Sequence, residues 1–193
     1  VMRAFALSIL MAGGLASASP VHADAAHEHG VAVLRVVSEG ATLMIEFVSP
    51  LDNLVGFEHA PRTDAQRTAM GAAQARLRDA AALLQLSAEA ECVLQEVVLE
   101  SPWLQGARDE HDRGQDHDHD VSPDHEHASA PSAAHAEMVA LYHYECAAPH
   151  KLERLHTRLF DAFPRLHEVR AQSATAKGQG AATLKPATPY LYW

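Results

Sequence analysis

Residues 109–127 read DEHDRGQDHDHDVSPDHEH, with five histidines and eight carboxylates in nineteen positions. No hydrophobic core accepts such a stretch, because each buried charge would need its own partner. The chain must therefore leave its fold here and return, and the segments on either side must pack without it. From 102 to 132 almost nothing apolar follows Leu104. Unstructured loops of that length are uncommon inside domains and are usually functional or disordered. Residues 104–134 are expected to form a His/Asp-rich flexible loop, disordered without metal.

Imidazole and carboxylate together are the ligand set of a borderline divalent ion such as zinc. The candidates in the segment are His111, His117, His119, His125 and His127, with His135 just beyond it. His117/His119 and His125/His127 are H-x-H pairs, which converge on one ion where an extended backbone turns locally. Asp116, Asp118, Asp120, Asp124 and Glu126 can complete a shell. Wrapping an ion costs on the order of 1–2 kcal/mol per residue fixed, so several weak, exchanging sites are expected. Neutral imidazole binds metal and imidazolium does not, so affinity there should drop as pH falls through roughly 6.5. An acidic solvated linker is the plain alternative, but linkers rarely carry five histidines in nineteen residues.

The first 23 residues, VMRAFALSILMAGGLASASPVHA, combine Arg3, an uncharged apolar run over 4–15 and the small-x-small triplet Val21-His22-Ala23. They read as a secretory signal peptide, too short in its apolar part for a membrane span, with the mature chain starting at Asp24. Residues 24–193 are one domain's worth. The 15 basic residues, less Arg3, leave 14 against 25 acidic ones. Nucleic acid and anionic membrane are therefore poor partners, and divalent metal ions are the natural ones. Cys92 and Cys146 form an even pair in an exported chain and are expected to be disulfide-bonded. Closing a loop of that size is worth at most roughly 4 kcal/mol by the chain-entropy argument. Two thiolate metal ligands are the rival reading.

Residues 31–38, rich in β-branched residues, and 42–48, which alternate with Leu43, Ile45 and Phe47 on one face, predict a β-hairpin around Glu39-Gly40. Thr63 and Gln66 have capping-box spacing at the head of a helix carrying Ala65, Ala69, Ala72, Ala73 and Leu77. Asp79 suits the cap of a short helical piece over 80–86. Residues 92–101, with Cys92, Leu94 and Val98 on one face, and 138–146, with Met138, Ala140, Tyr142, Tyr144 and Cys146 sharing a side, read as two strands. If they are antiparallel neighbours, the two cysteines meet. Pro149, then Leu152, Leu155, Leu159 and Phe163, predict a second amphipathic helix ended by Pro164. Residues 169–175 and 181–185, around the turn Lys177-Gly178-Gln179-Gly180, predict a last hairpin. The order ββ-α-ββ-α-ββ suggests an α+β two-layer sandwich with a mainly antiparallel sheet and two helices.

Outside the loop, His27-Glu28-His29-Gly30 offers an H-x-H half-site at a strand entrance, and His59 follows Glu58 in a loop. A lone loop histidine gains a role only if other ligands arrive beside it. His135 and Glu137 project to one side of their strand at i, i+2, and His143 alternates to that side too. His156 lies on the apolar stripe of the expected second helix and reads as a buried, hydrogen-bonded residue. His150 and His167 look like surface positions.

The stretches HEHGVAVLRV, SPLDNLVGFEHAPRTDAQR, YHYECA, LFDAFPRLHEVRAQ and GQGAATLKP resemble the ZrgA-like proteins. The resemblance covers nearly all of the chain after position 23, and SPLDNLVGFEHAPRT is its most specific part. It implies a bacterial periplasmic zinc-binding protein, an accessory to high-affinity uptake that works beside components of an ABC zinc importer. It also implies a His/Asp-rich insertion of variable length, matched by 109–127. The binding residues it carries over are His27 and His29, the Glu58-His59 pair, and the insertion.

The expected function is thus capture or buffering of Zn²⁺, with a tight site on the folded body near His27, His29, His59 and His135 and a loop that collects weakly held metal. Cu²⁺ and Ni²⁺ suit imidazole as well, so zinc preference rests on the resemblance. A second class is an interaction protein whose loop docks onto a transporter component. The chain shows no HExxH, GxSxG or P-loop and no supported carboxylate pair, and is expected not to be an enzyme.

Overall fold

The computed structural model describes residues 28–104 and 136–193. The expected signal peptide and most of the His/Asp-rich segment lie outside the described residues. Strands β1 (Val31–Glu39) and β2 (Thr42–Pro50) form the first hairpin through Gly40, at φ +59°. Leu43, Ile45 and Phe47 are buried on its inner face, as their alternation predicts, and Leu34 and Val36 of β1 are buried beside them.

Pro50 leads directly into α1 (Leu51–Val55), a turn of helix not anticipated from the sequence. Gly56 closes it in the left-handed conformation, φ +85°, where a side chain would be strained. Helix α2 (Asp64–Arg78) starts at the Thr63–Gln66 capping box. Its buried positions are Met70, Ala73 and Leu77. The alanine stripe expected there is corrected: Ala65 and Ala72 are exposed, because methionine and leucine bury more apolar area than alanine and take the inward face. The Asp79 carboxylate accepts the Ala82 N–H at 3.1 Å and caps α3 (Ala80–Leu83). That helix stops early, because 84–86 are drawn into β3 (Leu84–Leu86).

After a single 3₁₀ turn, β4 (Cys92–Glu100) pairs antiparallel with β5 (Glu137–Cys146). Cys92 stands opposite Cys146, and the two are disulfide-bonded, as expected. A bulge between Leu94 and Glu96 shifts the parity of β4. Val97 and Leu99 therefore pack on the core while Val98 faces out, correcting the single face expected for Cys92, Leu94 and Val98.

The second expected helix is also corrected. Residues 149–163 form a 3₁₀ turn, then β6 (Arg154–Thr157), then the one-turn helix α4 (Leu159–Ala162). Leu152, Leu155, Leu159 and Phe163 are all buried, but a short strand followed by a helical turn satisfies the same spacing. The deciding partners are distant: β6 pairs with β3 on one side and with β9 (Tyr190–Tyr192) on the other. The last expected hairpin is present as β7 (Glu168–Thr175) and β8 (Gly178–Leu184), and Gly178–Gly180 lies in the strand beyond the turn.

The larger sheet has the order β4-β5-β2-β1-β7-β8 and is antiparallel except for β1 beside β7; β3, β6 and β9 form a second, three-stranded sheet. The class is α+β, with four helices among the described residues and an order that differs from ββ-α-ββ-α-ββ. One core joins the inner face of the large sheet, α2 and the small sheet, and the Tyr142 hydroxyl donates to the Leu77 carbonyl of α2 at 2.9 Å. The opposite sheet face carries Arg35, Val37, Met44 and Glu46 and is open.

Candidate metal centre

Strand register gathers the polar motifs at one end of the large sheet. Val31 begins β1 opposite Glu168 of β7, and Pro50 ends β2 opposite Glu137 of β5. The disulfide and the Gly40 turn lie at the other end.

The segment just before β1 is held tightly there. The Asn53 side chain of α1, 1% exposed, accepts the Gly30 N–H at 2.6 Å and donates to the Val31 carbonyl at 2.9 Å and to Ser49 Oγ at 3.2 Å. The Gly30 carbonyl accepts the N–H groups of His167 and Glu168, at 2.8 and 3.0 Å. Gly30 has φ +83°, and a Cβ there would lie 2.9 Å from the His167 ring, so this position requires glycine. Glu28 is paired with Arg170 at 2.6 Å, and Glu168 holds the same guanidinium at 3.1 Å. These two carboxylates raise the Arg170 pKa further above its ordinary value, the Glu28 hydrogen bond contributing most.

His29 sits inside this frame. Its Nε2 lies 3.5 Å from Glu58 Oε1 and its Nδ1 lies 3.7 Å from Asp52 Oδ2. Both carboxylates are largely covered, at 17% and 16% exposure, while His29 is open at 62%. The separations exceed ordinary hydrogen bonds. They are close to the edge of a zinc tetrahedron, about 3.3–3.4 Å for bonds of 2.0–2.1 Å. His29 with either carboxylate therefore supplies two donors at a spacing that zinc can bridge. The two carboxylates face opposite edges of the imidazole, and among the described residues no group of three or more donors closes on one point.

His59 follows Glu58 and stacks on Phe57, ring centroids 5.2 Å apart. Its Nδ1 is 2.9 Å from the Ala60 carbonyl. A carbonyl only accepts, so Nδ1 is the donor, and in the neutral ring the lone pair is then on Nε2, the arrangement typical of metal-ligating histidines. Arg165, in the turn before β7, places Nη2 3.0 Å from both Oδ1 and Oδ2 of Asp52.

Of the site residues predicted from sequence, His29 and the Glu58-His59 pair come to this sheet end. His27, His111, His117, His119, His125, His127 and His135 lie outside the described residues. The residues flanking 105–135 are placed: Ala136 accepts the Leu51 N–H at 2.9 Å, one residue from Asp52, and Leu104 packs against the core after β4. His143 belongs elsewhere on the open face, toward the disulfide end, 3.6 Å from Glu145. His156 is corrected: it lies on β6, partly exposed, 2.9 Å from Gln85 Oε1 and stacked on Tyr190.

Asp52, Asn53 and Arg165 were not recognised as site residues from sequence. Asp52 and Asn53 stand inside the stretch SPLDNLVGFEHAPRT, but without α1 nothing marked which of its residues turn toward His29. Arg165 is 113 positions from Asp52 and carries no local signal.

No curated protein matches the chain. The family described as ZrgA family zinc uptake protein matches residues 26–193.

Proposed function

We propose that this chain, which belongs to the ZrgA family of zinc uptake proteins, captures Zn²⁺ in the periplasm and assists high-affinity uptake without itself catalysing a reaction. Zinc is the cargo. A tight site forms where His29 meets Glu58, and His59, His27 and His135 complete it, with Asp52 beside it. The histidines of 109–127 collect more weakly held ions and deliver them to that site.

The observation that carries this reading is the meeting of His29 with Glu58 at zinc-bridging distance, at the sheet end from which residues 105–135 depart. The donor chemistry fits: imidazole and carboxylate suit zinc, and the Asn53 clip holds the His29 segment before metal arrives, which lowers the ordering cost. Competition of the full chain against a zinc chelator tests it. His29→Ala and Glu58→Gln should each weaken the tightest equivalent by about tenfold or more, the loss of one metal ligand. Unchanged affinity in both variants contradicts the assignment.

A further inference from the structure

We propose that the outer edge of β8 is a docking edge for an extended segment of another protein, a strand bracketed at both ends by carboxylates. Neither zinc nor the histidines take part in it.

Register sets which backbone groups of β8 face outward. The Glu168 N–H donates to the Gly30 carbonyl, so Glu168 faces β1, and Arg170, Gln172 and Ala174 follow at every second position. Val169, Ala171, Ser173 and Thr175 then face β8, where they stand opposite Leu184, Ala182, Gly180 and Gly178. The N–H and C=O groups of Gln179, Ala181 and Thr183 therefore point away from the sheet. Among the described residues no strand lies beyond β8, and all three residues are exposed.

Folded proteins guard such edges with charge, proline or a bulge. The opposite edge of the same sheet is guarded in this way: β4 has the bulge between Leu94 and Glu96 and carries exposed Glu96 and Glu100. In β8 the seven residues GQGAATL include no charge and no proline, and the pairing with β7 runs without a bulge. A bare edge opposite a protected one fits strand addition, in which main-chain hydrogen bonds supply the affinity.

The charges around this edge select its occupant. Residues 169–193 contain Arg170, Lys177 and Lys185 and no acidic side chain, in a chain of net charge −10. Arg170 is already paired with Glu28 and Glu168. Lys177 and Lys185 bracket β8, and Lys177 Nζ donates to the Leu152 carbonyl at 2.9 Å, which holds that charge in place. A second copy of the chain is the wrong partner. The antiparallel register that uses all three outward residues sets Ala181 opposite itself and Lys177 opposite Lys185 at both ends. Like charges directly opposite destabilise a strand pair, whereas carboxylates in those positions stabilise it.

NMR-detected hydrogen exchange on the full chain tests this with two end-blocked peptides that match positions 177–185 in length, ETVTVTVTE and KTVTVTVTK. At saturation ETVTVTVTE should slow exchange of the Gln179, Ala181 and Thr183 amides by about tenfold or more, while Gly180 and Ala182, already bonded to β7, change little. KTVTVTVTK should bind about tenfold more weakly, because two opposite-charge pairs become like-charge pairs. Ala181→Pro removes the central outward N–H at a position where an edge strand accepts proline, and should abolish binding of ETVTVTVTE. The peptide comparison on the parent chain depends on no variant folding. Unchanged exchange at Gln179, Ala181 and Thr183, or equal binding of the two peptides, overturns the proposal. So does a sedimentation mass that doubles as the protein is concentrated and returns to one copy in Ala181→Pro, since the edge would then serve a second copy.

Discussion

Asn53 accepts the Gly30 N–H at 2.6 Å and donates to the Val31 carbonyl at 2.9 Å, joining two segments 23 residues apart with one amide. The side chain is 1% exposed, so water cannot replace it. Through this clip the backbone beside His29 is fixed to α1, which carries Asp52.

Asn53→Ala leaves the Gly30 N–H and the Val31 carbonyl without that partner. The expected loss is about 2–6 kcal/mol of stability, from one buried and one part-buried group at roughly 1–3 kcal/mol each. Urea denaturation measures it. The tightest zinc equivalent should weaken in parallel, because His29 is no longer held toward Glu58. A stability change under about 1 kcal/mol contradicts the clip.

The disulfide and the proposed metal centre should act independently. Cys92 and Cys146 close the far end of β4–β5, whereas the site lies where β5 begins. Replacing both cysteines by alanine should lower stability by at most roughly 4 kcal/mol on the chain-entropy argument. It should leave the first zinc equivalent unchanged. Denaturation curves and chelator competition on the same variant check both halves; loss of the tight equivalent would mean that the bridge supports the site.

Deleting residues 109–127 should remove weak zinc equivalents and spare the tight one. Isothermal titration of the intact and deleted proteins gives the two stoichiometries. The same number of ions bound by both would show that the histidine-rich segment collects no metal.

Alkaline pH should destabilise the fold through two tyrosines on β5. Burial pushes the Tyr144 hydroxyl up from 10.0 to about 12. Burial first, and then the neighbouring Tyr144, raises Tyr142 still further. The unfolded chain releases these protons near pH 10 while the folded chain keeps them, so ionisation favours unfolding. Their contribution is complete below pH 10; that of Tyr144 is lost as pH rises through about 12, and that of Tyr142 later still. The Tyr144 hydroxyl has no hydrogen-bond partner among the described residues, so Tyr144→Phe should move the alkaline unfolding midpoint upward without loss at neutral pH. A midpoint that stays put would place the sensitivity elsewhere.

The parts of the fold legible in the sequence were those whose signal is local. The β1–β2 and β7–β8 hairpins follow from two runs around a short glycine-containing turn, and α2 follows from Thr63 and Gln66. The β4–β5 pairing could be inferred because two cysteines mark its end. What failed depended on distant partners: Leu155 reads as helical until β3 and β9 are placed beside it, and the bulge at 94–96 has no signature in a run of alternating residues. The site divides the same way. His29 and Glu58-His59 were visible as residue types that bind metal. Asp52 became meaningful only when α1 turned it toward His29, and Arg165 only when the chain returned to it.

The central claim is that the first zinc ion binds on the folded body at His29, Glu58 and His59. Histidine side-chain NMR of the full chain, titrated with one equivalent of zinc, tests it most directly. The account predicts that the His29 and His59 imidazole signals shift first and saturate at one equivalent, before those of 109–127 respond. Saturation of His111, His117, His119, His125 or His127 at the first equivalent, with His29 and His59 unmoved, would contradict it.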